Sequence, residues 1–202
     1  MVAAAHRPSP PSTAPAGEQR FVLHGVSWQT YVRLRDELDT PGLRMTFCEG
    51  TLELMRPSID HEATKTLIAR LIELFALERD VPLYGYGSTT FRREAKARSL
   101  EPDECYCVGE AIEELPDIAI EVALTSGGID KLSVCSGLGV REVWFWENDA
   151  FHLHALRGEA YEAIAASELL PDLDLVALAR FVRWPDQHAA VKAFRGWLRN
   201  AG

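Results

Sequence analysis

Two apolar runs, Pro116-Asp-Ile-Ala-Ile-Glu-Val-Ala-Leu124 and Glu142-Val-Trp-Phe-Trp146, flank one helical stretch over residues 128–138 that Gly139 closes. No other feature constrains the fold as strongly. Both runs have strand period, and the second is apolar on both sides, as a covered strand is. A helix between two such strands reads as a right-handed crossover between parallel neighbours. The sheet that holds them needs helices packed on it.

The rest of the chain supplies further strands and helices. Ser27 is placed to cap a helix with apolar positions Trp28, Tyr31, Val32, Leu34 and Leu38, ended by Pro41-Gly42. Strand patterns at 43–48 and 51–55 meet at Glu49-Gly50, the signature of a tight hairpin. Ser58 or Asp60 starts the strongest helix, with Ala63, Leu67, Ile68, Leu71, Leu74, Phe75 and Leu77 in one stripe and Pro82 beyond its end. The period then changes from helical to alternating, with strands expected at 83–86, 89–92 and 104–108. Residues 151–156 and 160–164 suggest an antiparallel edge hairpin around Arg157-Gly158, and a helix over 186–199 ends the chain. The expected fold class is α/β of the α+β kind, a mixed β-sheet flanked by helices. Residues 1–18 hold four prolines and few large apolar side chains, which reads as a disordered N-terminal tail before a single domain over 19–202.

Thirty acidic residues against twenty-one basic ones leave a net charge of -9. That argues against a chain that coats nucleic acid by general electrostatics and leaves room for a local basic surface or a metal-dependent site. No apolar stretch approaches the ~18 to 20 residues of a membrane span, and the first thirty positions lack a secretory signal, so a cytoplasmic protein without a membrane partner is expected. The four cysteines, at 48, 105, 107 and 135, do not form a disulfide or zinc pattern and read as reduced, buried thiols.

Chemistry is sought where carboxylates stand on apolar strands. Alternation puts Ile118, Ile120, Val122 and Leu124 on one face and Asp117, Ala119, Glu121 and Ala123 on the other. Glu121 lies mid-strand between two alanines. It needs a cation, a donor or water, because an unpaired buried carboxylate costs several kcal/mol; the alternative is a solvated face. Asp103 follows Pro102 at the start of the 104–108 strand, where a turn-forming Asp would look the same. Asp117 is roughly 13 Å along the strand from Glu121 and cannot share an ion with it. Asp103 and Glu121, on different strands, can converge as oxygen ligands for Mg²⁺ or Mn²⁺. Arg92, Arg93, Lys96 and Arg98 cluster just before Asp103, either to meet a phosphate backbone or as a solvated loop.

The order Glu-Gly-x-Leu-Glu-Leu-Met (49–55), His61 opening a long helix, Glu-Pro-Asp (101–103), Pro-Asp-Ile-Ala-Ile-Glu-Val (116–122), Asp130-Lys131 and Gly-Val-Arg-Glu-Val-Trp (139–144) resembles the bacterial putative restriction endonuclease family of the PD-(D/E)XK nuclease superfamily. The resemblance covers about residues 25–160. It implies a restriction-endonuclease-like fold and a Mg²⁺-dependent DNA endonuclease in which Asp103 and Glu121 hold the metal. The superfamily places a lysine two positions after the second acid, where this chain has Ala123; the resembling family supplies it from the following helix, where Lys131 stands. Residues 123–128 read Ala-Leu-Thr-Ser-Gly-Gly, where the family has Ser-Pro-Ser. Glu53 and His61 match recurrent positions and are expected to line the same cleft. Arg92, Arg93 and Lys96 are the expected nucleic-acid contacts, DNA the partner, and a homodimer is implied. The alternatives are a catalytically inactive nuclease-fold binding or assembly module, and hydrolysis of a smaller phosphorylated substrate.

Overall fold

The computed structural model describes residues 17–38, 40, 42–111, 114–124, 128–182 and 186–200. Of the tail expected over residues 1–18, residues 1–16 lie outside them. Local capping sets the helix starts. Ser27 Oγ accepts the Thr30 N–H at 3.1 Å ahead of α1 (Trp28–Glu37), and Ser58 Oγ accepts the His61 N–H at 3.1 Å ahead of α2 (Ile59–Glu78). Each cap satisfies a donor that the first helical turn cannot. Between these helices β2 (Arg44–Cys48) and β3 (Thr51–Arg56) are joined through Glu49 and Gly50 at φ 44 and 89. Two left-handed residues make the tight hairpin turn whose twist matches the strands.

The remaining strands are β1 (Gln19–His24), β4 (Leu83–Gly85), β5 (Phe91–Arg93), β6 (Arg98–Leu100), β7 (Glu104–Val108), β8 (Ile118–Val122), β9 (Glu142–Glu147), β10 (Ala150–Arg157) and β11 (Ala160–Ile164). The later helices are α3 (Lys131–Leu138), α4 (Leu175–Ala179) and α5 (Gln187–Asn200). The strands form an antiparallel sheet in the order β1-β3-β2-β6-β5 and a mixed sheet in the order β11-β10-β9-β8-β7-β4. β8 and β9 are parallel, with α3 as their crossover, and β10 and β11 form the edge hairpin.

The fold is therefore of the α+β class, with one difference from a single mixed sheet. β5 and β6 leave the strand run and join β2, with Phe47 opposite Ser99 and Cys48 opposite Arg98. Ser99 is buried there, its hydroxyl 2.6 Å from that of Tyr31 in α1. β1, β6 and α4 were not legible as periodic segments, being short or lacking alternation.

The core sits in layers. On one face of the mixed sheet Leu67, Ile68, Leu71, Ile72 and Phe75 of α2 and Phe194 and Leu198 of α5 pack with Ile118, Ile120, Val122, Trp144 and Trp146. Full burial of each large side chain contributes ~1.5–3 kcal/mol. On the other face Val134, Cys135 and Leu138 of α3 meet Ala119, Cys105 and Val143, together with Phe91 and Leu100 of the antiparallel sheet. α3 thus lies between the two sheets, and its first turn points into their junction. No described helix is long and apolar enough to cross a membrane.

Candidate active site

The β7–β8 register pairs Glu104 with Ile120, so one further step sets Asp103 opposite Glu121. The two carboxylates share the face that looks toward α3. The Val122 N–H donates to Asp103 Oδ2 at 2.6 Å. Asp103 is 1% exposed and Glu121 6%, so neither is a solvated surface acid. Asp117 stands apart, accepting from Arg141 at 3.0 Å and from the Val108 N–H at 2.9 Å.

Lys131 enters from the first position of α3, whose N-cap is Asp130. A cation there opposes the helix dipole and needs acidic neighbours. Its Nζ donates to Thr46 Oγ1 at 2.6 Å and lies 3.2 Å from Glu53 Oε1 and 3.9 Å from Glu121 Oε2. Glu53 is itself buried on β3. Its Oε2 accepts the Ile129 N–H at 2.9 Å, which fastens the approach to α3 onto the antiparallel sheet. Gly128 makes this approach possible: at φ +105 it passes so close to the Glu53 carboxylate and the Arg20 guanidinium that a Cβ would collide with both.

A second chain of polar contacts holds Asp103. Oδ1 lies 2.9 Å from His61 Nε2 and against Arg44 Nη1, while Arg44 Nη2 donates to Glu62 at 2.7 Å. His61 is fully buried, and its Nδ1 lies 3.0 Å from Glu18 Oε2. Arg20 in β1 closes the ring, 2.8 Å from Glu18 and 3.4 Å from Glu53. Asp103, Glu121, Lys131, Glu53 and His61 therefore meet in one place.

Glu18, Arg20, Arg44 and Thr46 also belong to it and were missed. The composition that ends a tail at residue 18 averages over a segment, whereas Glu18 is carried by β1 into the site and its side chain is 2% exposed. For Arg44 and Thr46 a signal existed: they alternate with Met45 and Phe47 on a short strand, and all four are buried. Arg92, Arg93 and Lys96 sit elsewhere, on edge strand β5 and the 3-10 turn after it. Arg92 and Lys96 are exposed, and Arg93 lies 3.6 Å from Glu114. The described cysteines are free, and burial pushes the Cys105 thiol up to about 12, so it stays neutral.

Burial pushes the Glu121 carboxyl up; Lys131 and Arg44 pull it back, Glu53 pushes it further, and the balance stays above the ordinary carboxylate value. Glu121 Oε1 is buried without a hydrogen-bond partner, as is Glu53 Oε1 despite its ion pair with Lys131. A native structure rarely leaves a carboxylate oxygen in this condition without a use for it. Among the described residues no three His, Cys, Asp or Glu side chains gather as a metal cage. Mg²⁺ does not ask for one, since one or two carboxylates with water and substrate oxygens complete its shell. The hard oxygen donors of Glu121 and Asp103 fit that requirement.

No curated protein matches the chain. Its structure is similar to the crystal structure of a putative nuclease belonging to DUF820 from Anabaena variabilis, with a TM-score of 0.50, 14% sequence identity, and coverage of 82% of this chain and 98% of that one. At that identity the likeness establishes the fold. The family model Uma2, "Putative restriction endonuclease", matches residues 28–185, which include every site residue above except Glu18 and Arg20. This chain belongs to the Uma2 putative restriction endonuclease family.

Proposed function

We propose that this chain is a metal-dependent DNA endonuclease that hydrolyses phosphodiester bonds at Asp103, Glu121 and Lys131. The observation that carries the reading is the buried Glu121 carboxylate, on a strand next to Asp103, with Oε1 unpartnered and Oε2 3.9 Å from the Lys131 ammonium. The family description and the printed name of the structural neighbour support the same class of reaction.

Asp103 and Glu121 would hold Mg²⁺ or Mn²⁺, which neutralises charge on phosphoryl oxygens and makes an attacking water more acidic. The chain's own residues do the positioning. His61 and the Val122 N–H hold Asp103 in a single orientation. Thr46 and Glu53 engage Lys131 on one side, leaving its ammonium to donate to a phosphoryl oxygen as negative charge develops there. A fixed donor in a site largely shielded from water acts more strongly than the same donor in bulk solvent. With a net charge of -9, the backbone contacts fall to a local set, for which Arg92, Arg93 and Lys96 are the proposed residues.

One observation favours a second reading, a nuclease-fold binding module without catalysis: both oxygens of Asp103 are already engaged, by His61, Arg44 and the Val122 N–H. Cleavage of supercoiled plasmid separates the two. The purified protein is compared in Mg²⁺, Mn²⁺ and EDTA with Asp103→Ala, Glu121→Ala and Lys131→Ala, each first shown folded by circular dichroism. Metal-dependent nicking lost in all three variants supports the endonuclease. No cleavage of plasmid, linear duplex or single strands, with no metal-induced rise in melting temperature, supports the binding module.

A further inference from the structure

Arg44 borders two places at once. In the site its Nη1 lies against Asp103 Oδ1; it also lines a neighbouring cavity of about 360 Å³, together with Arg56, Glu62, Lys65, Ser88 and Glu101. A cavity of that size falls in the range of small-ligand sites. Its three cations come from three elements, Arg44 from β2, Arg56 from the end of β3 and Lys65 from α2. Arg56 and Lys65 have no part in the site described above. Arg56 is exposed and has no acidic partner among the described residues.

The Glu62 carboxylate bridges two of these cations, with Oε1 2.7 Å from Arg44 Nη2 and Oε2 2.7 Å from Lys65 Nζ. Burial pushes this carboxyl up, yet Lys65 and Arg44 bring it below the ordinary carboxylate value, so it stands there as an anion. Its side chain is 43% exposed, against 8% for Arg44 and 14% for Lys65. The cations are thus held by their surroundings, and the anion between them is the member free to turn into water. Glu101, the other acid of the cavity, lies 3.5 Å from Arg35. Burial pushes its carboxyl above the ordinary value, which Arg35 and Arg44 only partly offset. Neither acid closes the cavity to an entering anion.

A carboxylate that gives one oxygen to each of two cations marks the place of a larger oxyanion. Phosphate brings more oxygens, and arginine meets it through two parallel N–H···O bonds, while lysine meets it as a point charge. Arg56 supplies a second such fork and Ser88 a hydroxyl. A two-pronged bond to phosphate uses both Nη atoms of Arg44, whereas Glu62 takes only Nη2. Nη1 then leaves Asp103 Oδ1, which keeps His61 and becomes open to a cation.

We propose that this cavity is a phosphate subsite, in which a phosphate group displaces Glu62, is held by Arg44, Arg56 and Lys65, and draws Arg44 away from Asp103. In a nucleic acid the group it takes is a backbone phosphate other than the one cleaved. For that substrate the inference rests on the endonuclease reading, and it gives the engaged oxygens of Asp103 a role. The metal position stays closed until the backbone is seated.

Fluorescence anisotropy of a short labelled DNA duplex in EDTA tests this on the full chain and on Arg56→Gln, Lys65→Gln and Glu62→Gln, each shown folded by circular dichroism. Arg56→Gln and Lys65→Gln are each expected to weaken binding about tenfold and to lower the salt slope by about 1. Glu62→Gln is expected to tighten binding, which the loss of an ion pair serving only the fold would not do. Inorganic phosphate, set against chloride at equal ionic strength, is expected to raise the melting temperature of wild type and to enlarge its Mg²⁺-induced rise, and to do neither in Lys65→Gln. Duplex binding that both charge variants leave unchanged in affinity and salt slope overturns the subsite, even where plasmid nicking stands. Stabilisation by phosphate that Lys65→Gln loses, with no duplex binding by wild type, keeps the subsite for free phosphate and overturns the nucleic-acid substrate. A phosphate effect that leaves the Mg²⁺-induced rise unchanged overturns the movement of Arg44.

Discussion

Replacing Glu121 by Gln keeps the shape of the side chain and removes its charge, which separates what this carboxylate does for folding from what it does for function. Lys131 at 3.9 Å attracts it by about 4 kcal/mol at an effective dielectric constant of ~20. Against this stand the loss of hydration, several kcal/mol for a buried ion, and the nearby Glu53 charge. The upward displacement of the Glu121 carboxyl says that the opposing effects win. A carboxyl whose folded value lies above its unfolded one takes up a proton on folding. Stability is then fully present below the ordinary value of 4.5 and declines as the pH rises through the folded value. Glu121→Gln should match wild type near about pH 4.5 and exceed it at about pH 8. The buried charge that the substitution removes sets the gain at ~1–3 kcal/mol, or about 4 to 8 °C in Tm for ~2 kcal/mol. Thermal melts across this pH range in EDTA measure it. In Mg²⁺ the order should reverse, because binding at about 100 times Kd adds ~2.7 kcal/mol to wild type alone. A variant that is less stable than wild type at alkaline pH in EDTA would refute the reasoning, making Glu121 a structural ion-pair partner of Lys131.

Four further substitutions probe the site and its surroundings. Lys131→Gln should lower the plasmid nicking rate by ~10²–10³-fold with the protein folded, as expected for one removed transition-state donor. Gly128→Ala should lower stability by ~1–3 kcal/mol in urea melts, since the residue would have to hold φ +105 and collide with Glu53 and Arg20; Gly139→Ala, at the α3 C-cap, supplies a comparison that strains the backbone without touching the site. Glu142 is buried and accepts from Trp144 Nε1, Ser167 Oγ and the Glu168 and Leu169 N–H groups at 2.8 to 3.1 Å. Glu142→Ala should therefore cost ~3–5 kcal/mol in a urea melt while metal-induced stabilisation of the folded fraction persists, because Glu142 anchors the segment after β11 and does not reach the site.

Local chemistry made much of this fold legible in advance. Ser27 and Ser58 cap the helices that follow them, Glu49-Gly50 turns the hairpin, and the apolar strands around 118–122 and 142–147 are parallel with α3 between them. These outcomes depend on residues within a few positions of one another, and periodicity reports them faithfully. Glu121 was conspicuous for the same reason, as a carboxylate on a strand otherwise apolar.

Tertiary structure decided which distant residues became neighbours. Thr46 and Lys131 are 85 positions apart, and His61 and Asp103 are 42. Nothing in the pattern around either member of such a pair names the other. β1 is a strand because β3 offers it a partner, and Glu18 is buried because β1 delivers it beside His61. The chain alone determined the capped helices, the hairpin and the apolar strands, and marked a carboxylate that needed company. Packing of α3 between two sheets determined what that company is, because burial and charge pairing are properties of a volume and not of a segment.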